Sequence, residues 1–281
     1  MIAGLLVIEL LTILIAVWLN GEKNQEVAVI GDTAITKQEL WGELEERYGS
    51  SVLRDLVNEE VIGQAAQKND ISVSDEELET ELTFIKARYG SYDQQYLQTS
   101  DWEEQIRANI LLEKLLVQDV EIPERDVKAE YTNNKDKYKT PTAYHLSHIV
   151  VDEKKQAQQI YEELKDGASF PVLAMEQSRD DASASQDGDI GYITKKSSRY
   201  PSSYVKKAAD LKPGKYSKPI KLDDGYAIIF LHEKVKGKTF SYKEVKSMIE
   251  RQLAVAQMNG AVNADYFWDE LGVDWLYGAK E

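Results

Sequence analysis

Residues Met1 to Leu19 form one apolar run, interrupted only by Gly4, Glu9 and Thr12. At 1.5 Å per residue such a helix spans about 28 Å, close to the hydrocarbon thickness of a bilayer. This stretch constrains the rest of the chain most, because whatever follows is then exported, either tethered or released. Trp18 suits the membrane interface. A cleaved signal peptide and a retained anchor both fit the run. The residues that close it, Ala16-Val17-Trp18-Leu19-Asn20-Gly21, contain no Ala-x-Ala-like cleavage site. That favours a retained single-pass helix over residues 1–20. Glu9 is costly at mid-membrane, and no basic segment precedes the run, so the charge rule for orientation is weak here.

The charge balance narrows the exported part. Lys and Arg number 34 against 49 Asp and Glu, a net charge of −15. A nucleic-acid binder needs a basic face to neutralise phosphates, so that class is excluded. The chain has no cysteine. A disulfide framework, a thiol nucleophile, a thiolate zinc site and a lipid-modified N-terminal cysteine are therefore excluded too. The charge is also unevenly spread. Residues 20–141 hold 14 basic and 27 acidic side chains, net −13, whereas residues 142–235 hold 14 of each. The shift marks a domain boundary. Four parts follow: the membrane helix 1–20, an acidic N-terminal segment 24–141, a neutral middle domain 142–235 and a C-terminal segment 236–281.

The acidic segment reads as mostly helical. Val27-Ala28-Val29-Ile30 and Thr33-Ala34-Ile35 flank Gly31-Asp32, a small hairpin. Thr36-Lys37-Gln38-Glu39 is a capping box that opens a helix to about residue 48. A second helix covers about 52–68. Ser74-Asp75-Glu76-Glu77 is another capping box, opening a helix to about residue 89. An amphipathic helix follows over 102–119, with Ile106, Ile110, Leu112, Leu115 and Leu116. Pro123 then suits the first turn of a helix ending near residue 138. Apolar residues on so many short helices serve a domain core, or a cradle for other chains.

The middle domain alternates. A strand is expected over 144–151, helices over 153–165 and 170–178, and a polar stretch over 180–191. A short helix over 202–211 comes next, and then strands over 219–222 and 226–232 joined at Asp223-Asp224-Gly225. The order β-α-α-α-β-β predicts an α+β fold, a small sheet with helices around it.

Five pieces of this domain carry a resemblance. They are Ser147-His148-Ile149-Val150-Val151, Gly188-Asp189-Ile190-Gly191, Leu211-Lys212-Pro213-Gly214, Ser217-Lys218-Pro219-Ile220 and Asp224-Gly225-Tyr226-Ala227-Ile228-Ile229. In that order, over about 90 residues, they resemble a parvulin-type peptidyl-prolyl cis/trans isomerase. The layout resembles the PrsA/SurA group of extracytoplasmic foldases: membrane attachment, a helical chaperone segment, a parvulin domain with a small antiparallel sheet, and a C-terminal helical segment packing back on the first. The stretch from Val127-Lys128-Ala129-Glu130-Tyr131 through Lys137-Tyr138-Lys139-Thr140-Pro141 matches that group's approach to the parvulin domain.

The resemblance implies a protein-folding factor at the outer face of a bacterial cell membrane, acting on X-Pro bonds of unfolded secreted polypeptides. A homodimer is left open. His148 falls at the histidine of the first strand and Asp180 at the Cys/Asp position, the two catalytic candidates. Ile190, Tyr200 and Tyr204 would wall the proline pocket. No cofactor or metal is implied. Two departures stand out. Ala227 occupies the position of a second histidine, which leaves a non-catalytic holdase as the alternative. Asp152-Glu153-Lys154-Lys155 replaces the basic cluster of phosphate-directed relatives, so phospho-specificity is not expected. His145 and His148 are three apart on a strand and point to opposite faces, which rules them out as a metal pair. His232 reads as structural or exposed.

Overall fold

The computed structural model describes residues 25–88, 102–258 and 262–277. The apolar N-terminal run lies outside them. No helix among the described residues is long and apolar enough to cross a membrane. The chain divides into two compact units. One comprises the chain up to Ala65 together with the chain from Ala264, and the other is Ala66–Asn263.

The first unit opens with β1 (Glu26–Ile30) and β2 (Thr33–Thr36), an antiparallel hairpin that turns at Gly31, where φ is +60°. Thr36 and Glu39 close the expected capping box, each side chain serving the other's backbone N–H at 3.2 and 2.8 Å. From there α1 (Lys37–Lys68) runs unbroken for 32 residues. The sequence suggested two helices parted at Gly49-Ser50-Ser51. Without a proline, glycine and serine cost a helix only about 1 kcal/mol or less per residue, too little to break one held from both sides. A 3-10 turn (Ala264–Phe267) and the short α10 (Trp268–Leu271) complete the unit. They are tied to α1 by Trp268 Nε1–H donating to Asn58 at 2.9 Å and by the Arg54–Asp265 ion pair.

The second unit has a helical part and a sheet. Its helices are α2 (Asp75–Arg88), α3 (Trp102–Leu116), α4 (Glu124–Asn133) and α9 (Tyr242–Gln257). The capping box at Ser74 and Glu77 forms, and Ser241 with Glu244 adds one that the sequence reading missed. Phe84, Val127, Tyr138, Phe240, Val245 and Ile249 make one core of this part. Arg251 of α9, 6% exposed, reaches Glu81 of α2 and Glu113 of α3 at 2.5 and 2.7 Å. The helix expected to end near residue 138 stops at Asn133, and a 3-10 turn (Lys135–Tyr138) takes over. The two-residue strand β3 (Lys139–Thr140) then pairs with β9 (Lys238–Thr239), beside the start and the end of the sheet domain.

The sheet runs β5-β4-β8-β6, antiparallel throughout, with β7 also on β8. Its strands are β4 (Ala143–Val151), β5 (Asp189–Thr194), β6 (Lys215–Tyr216), β7 (Ile220–Leu222) and β8 (Gly225–Val235). Between β4 and β5 lie α5 (Lys154–Lys165), α6 (Phe170–Gln177) and the one-turn α7 (Asp181–Ala184). The helix α8 (Ser202–Asp210) precedes β6. The α+β character expected of this region is present. Strand β5 is the correction, because residues 188–191 read as part of a polar connector. Two glycines hid the strand, whose apolar residues Ile190, Tyr192 and Ile193 follow directly.

Alternation along the strands sorts two cores. Leu146 and Val150 of β4, with Ala227, Ile229 and Leu231 of β8, face Tyr204, Val205 and Ala208 of α8. Ile149 and Val151, with Ile228, face Ala157, Ile160 and Leu164 of α5 and Leu173 and Ala174 of α6. His148 shares the parity of Leu146 and Val150, so the fold directs it toward α8.

Candidate active site

His148 stands in the middle of the central strand, 4% exposed. Its backbone is clamped from both sides. It pairs with Ile229 of β8, and on the other edge its N–H donates to the Gly188 carbonyl at 2.7 Å. Gly188 sits at φ +73°, and a Cβ there would stand 2.5 Å from the His148 carbonyl oxygen. Glycine is therefore required for the chain to approach this strand so closely.

Asp180 arrives from the segment after α6. Ser178 Oγ accepts from the backbone N–H of Val150 at 3.2 Å and of Asp180 at 3.3 Å, and Arg179 N–H donates to the Val150 carbonyl at 2.8 Å. This stitching lays the segment along β4. It brings Asp180 Oδ2 to 2.7 Å from His148 Nε2, across 32 residues of sequence. Ser183 Oγ stands 3.0 Å from both. The Tyr204 hydroxyl lies 3.0 Å from the other ring nitrogen, Nδ1.

Proton directions follow from chemistry. The hydrogen bond from His148 holds the Asp180 carboxyl down at about 2, so it is ionised and accepts. Burial pushes the Tyr204 phenol well up, so it keeps its proton and donates. A neutral His148 satisfies both partners when Nε2 carries the hydrogen and Nδ1 the lone pair. The result is a directed relay from Tyr204 through His148 to Asp180, with every member paired.

The other residues singled out from the sequence are placed around this relay. Ile190 is fully buried in the core cluster that contains Tyr204. Tyr200 is half-buried at its edge. Its ring stacks on Tyr204 with centroids 6.2 Å apart and meets His148 edge-on at 5.9 Å. Asp180 keeps a third of its side chain exposed. The solvent-facing members are thus Tyr200 and Asp180, while His148, Tyr204 and Ile190 form the floor. His145 belongs to another group: it faces Asp189 and stacks on Tyr192.

Residues 122–247 match the PPIC-type PPIASE domain. The chain is 39% identical over 262 residues to the putative peptidyl-prolyl cis-trans isomerase YacD of Bacillus subtilis, covering 92% of this chain and 88% of that protein. It is 36% identical over 229 residues to foldase protein PrsA of Geobacillus kaustophilus, covering 79% and 75%. The crystal structure of PrsA from Bacillus anthracis aligns with 80% of this chain and 99% of its own at 26% identity, with a TM-score of 0.33, a loose overall likeness.

The chain belongs to the PrsA-like, PPIC-type peptidyl-prolyl isomerases.

Within this family two features of the site were not legible in the sequence reading. Ser183 follows Asp180 by one helical turn, and that spacing was the available signal. Arg179 is the second. Its guanidinium pairs with Asp152, after β4, and with Asp224 at 2.7 Å in the turn before β8, so it fastens three loops around the relay. Ala227, where the sequence resemblance leads one to expect a second histidine, is 0% exposed in the core cluster that holds Val150, Tyr204 and Ile229. An imidazole there would overfill a closed core.

Proposed function

We propose that the chain is an extracytoplasmic foldase, held to the outer face of a bacterial cell membrane by its N-terminal apolar run. In this reading it turns over X-Pro bonds in unfolded secreted polypeptides. His148 and Asp180 form the catalytic centre, and the half-buried Tyr200 offers the prolyl ring its contact surface, backed from the core by Tyr204 and Ile190. The single observation that carries the assignment is the fully paired relay Tyr204–His148–Asp180 beneath the half-exposed Tyr200 ring.

The chemistry asked of such a site is modest. Rotation about X-Pro is slow because amide resonance gives the C–N bond double-bond character. Resonance places negative charge on the carbonyl oxygen. A fixed anion beside that oxygen disfavours the planar, charge-separated form and so lowers the barrier to the twisted one. Asp180, ionised at any physiological pH and held by His148 and Ser183, supplies that anion. His148 has both nitrogens engaged, so its role is to orient and hold the carboxylate. Arg179 beside the relay is already neutralised by two aspartates, so it offers no free charge to a phosphate.

The deciding experiment is the cis/trans exchange rate of an unphosphorylated X-Pro peptide with the full chain, beside His148→Ala and Asp180→Ala. Acceleration that falls at least tenfold in either variant supports the assignment. No acceleration, in a sample that still keeps an unfolded client soluble, would sink it and leave a holdase on an isomerase scaffold.

A further inference from the structure

On the opposite face of the sheet from His148 a second constellation forms, and its cause lies in two bulges at one place. In the β4–β5 ladder the register slips between His145 and Ser147, so that His145 pairs with Tyr192 but Ser147 with Asp189. In the β4–β8 ladder it slips between His145 and Leu146, which pair with Glu233 and Leu231, and His232 is the extra residue. Bulges re-aim side chains. Here they gather one side chain from each of three neighbouring strands. His145 Nε2 stands 2.8 Å from Asp189 Oδ2, and the His145 and His232 rings have centroids 4.6 Å apart.

One ring nitrogen of each histidine and one carboxylate oxygen of Asp189 lie within 4.8 Å of one another. We propose that His145, Asp189 and His232 bind a divalent transition-metal ion of the zinc class. Two imidazoles and one carboxylate are a donor set suited to Zn²⁺ and its neighbours rather than to Ca²⁺ or Mg²⁺, which take oxygen. Tetrahedral Zn²⁺ with ligands at about 2.0–2.2 Å needs donors roughly 3.3–3.6 Å apart. Small side-chain rotations reach that spacing from the present one. Three protein ligands leave a fourth position for water.

The surroundings already hold the ligands in place, as outer partners do at metal sites. Gly191 N–H donates to Asp189 Oδ1 at 2.7 Å, which leaves Oδ2 as the coordinating oxygen. Ser147 Oγ holds Nε2 of His232 at 2.8 Å, and the Tyr192 ring backs His145. His232 is exposed, which opens the approach for an ion. None of these three residues belongs to the relay around His148, so the inference stands apart from the isomerase reading.

The test is calorimetric titration of the untagged full chain with Zn²⁺, beside His145→Ala, His232→Ala and Asp189→Asn, with Ca²⁺ as the control cation. The expected result is one equivalent of Zn²⁺ bound by the unaltered chain, at least tenfold weaker binding in each variant, and no comparable Ca²⁺ uptake. A thermal midpoint that Zn²⁺ raises in the unaltered chain but not in His232→Ala, each compared with its own metal-free sample, gives the second readout. The proposal fails if the unaltered chain binds no Zn²⁺, or if His145→Ala and His232→Ala bind it as tightly as the unaltered chain.

Discussion

The Tyr204 hydroxyl is the smallest part of the site with a separable effect. It donates to His148 Nδ1 from a position 1% exposed, so removing it leaves a buried nitrogen without a partner. Tyr204→Phe keeps the ring and its stacking on Tyr200. The expected cost is about 1–2 kcal/mol in stability, with an isomerase rate lower by about tenfold. Peptide exchange kinetics and urea unfolding measure the two separately. Asp180 gives the pH dependence. Its carboxyl titrates near 3.9 in an unfolded chain and at about 2 here, so the folded state favours the ionised form. The stability it contributes is therefore complete above about pH 4 and disappears as the pH falls through 2. The gap between the urea midpoints of the unaltered chain and Asp180→Asn is expected to stay level from pH 7 to pH 5 and to close below pH 4. A gap that closes between pH 7 and pH 5 would show that Asp180 is not held as described.

At the scale of elements, legibility followed the local signals. The capping boxes at Thr36 and Ser74 carry their own start codes and form as expected. The strands expected over 144–151 and 226–232 form as β4 and β8, the latter extending to Val235. What failed were segments whose fate is set by distant partners. Glycines and serines at 49–51 look like a break, yet helix α1 continues past them. Residues 188–191 look like the end of a connector, yet an edge strand starts at Asp189 because β4 offers its free side. The site shows the same division. The resemblance singles out His148 and Asp180, which the fold brings to 2.7 Å from each other. The hydroxyls of Ser183 and Tyr204 acquire their meaning only once α7 and α8 are set against the sheet. Gly188 joins the two scales, since it lets β5 begin flush against the backbone of His148. Gly188→Ala adds a Cβ 2.5 Å from a carbonyl oxygen at φ +73°. Strain of about 1–2 kcal/mol from the left-handed backbone plus the clash should cost at least about 2 kcal/mol. The urea midpoint should fall, and peptide turnover with it, because His148 moves with its strand.

At the scale of the molecule, an isomerase site alone does not make a foldase, because an unfolded client must also be kept from aggregating. The first unit carries the apolar surface expected to do that. Leu40, Leu44, Tyr48, Val52 and Leu56 recur every four residues along α1, each between 43% and 58% exposed, and Trp41 beside them is 56% exposed. The hairpin adds Val29 at 61% and Ile30 at 69%. Single exposed apolar residues need no explanation; a row of this length, winding slowly around the helix, is a candidate surface for an unfolded client. Its acidic neighbours Glu39, Glu43, Glu45 and Glu46 keep the unit soluble while the row stays open. In the proposed reading a short X-Pro peptide engages only the relay, whereas a long unfolded chain also engages this row. The two activities should therefore separate. Trp41→Glu combined with Leu44→Glu is expected to lower the suppression of client aggregation severalfold while leaving peptide exchange unchanged. Light scattering of a denatured client and the peptide assay, run on the same sample, measure this. If the row instead seats a second copy of this chain, sedimentation will show a dimer that the double variant converts to monomer. Loss of peptide exchange together with aggregation suppression would mean that both depend on one surface, against the division of labour argued here.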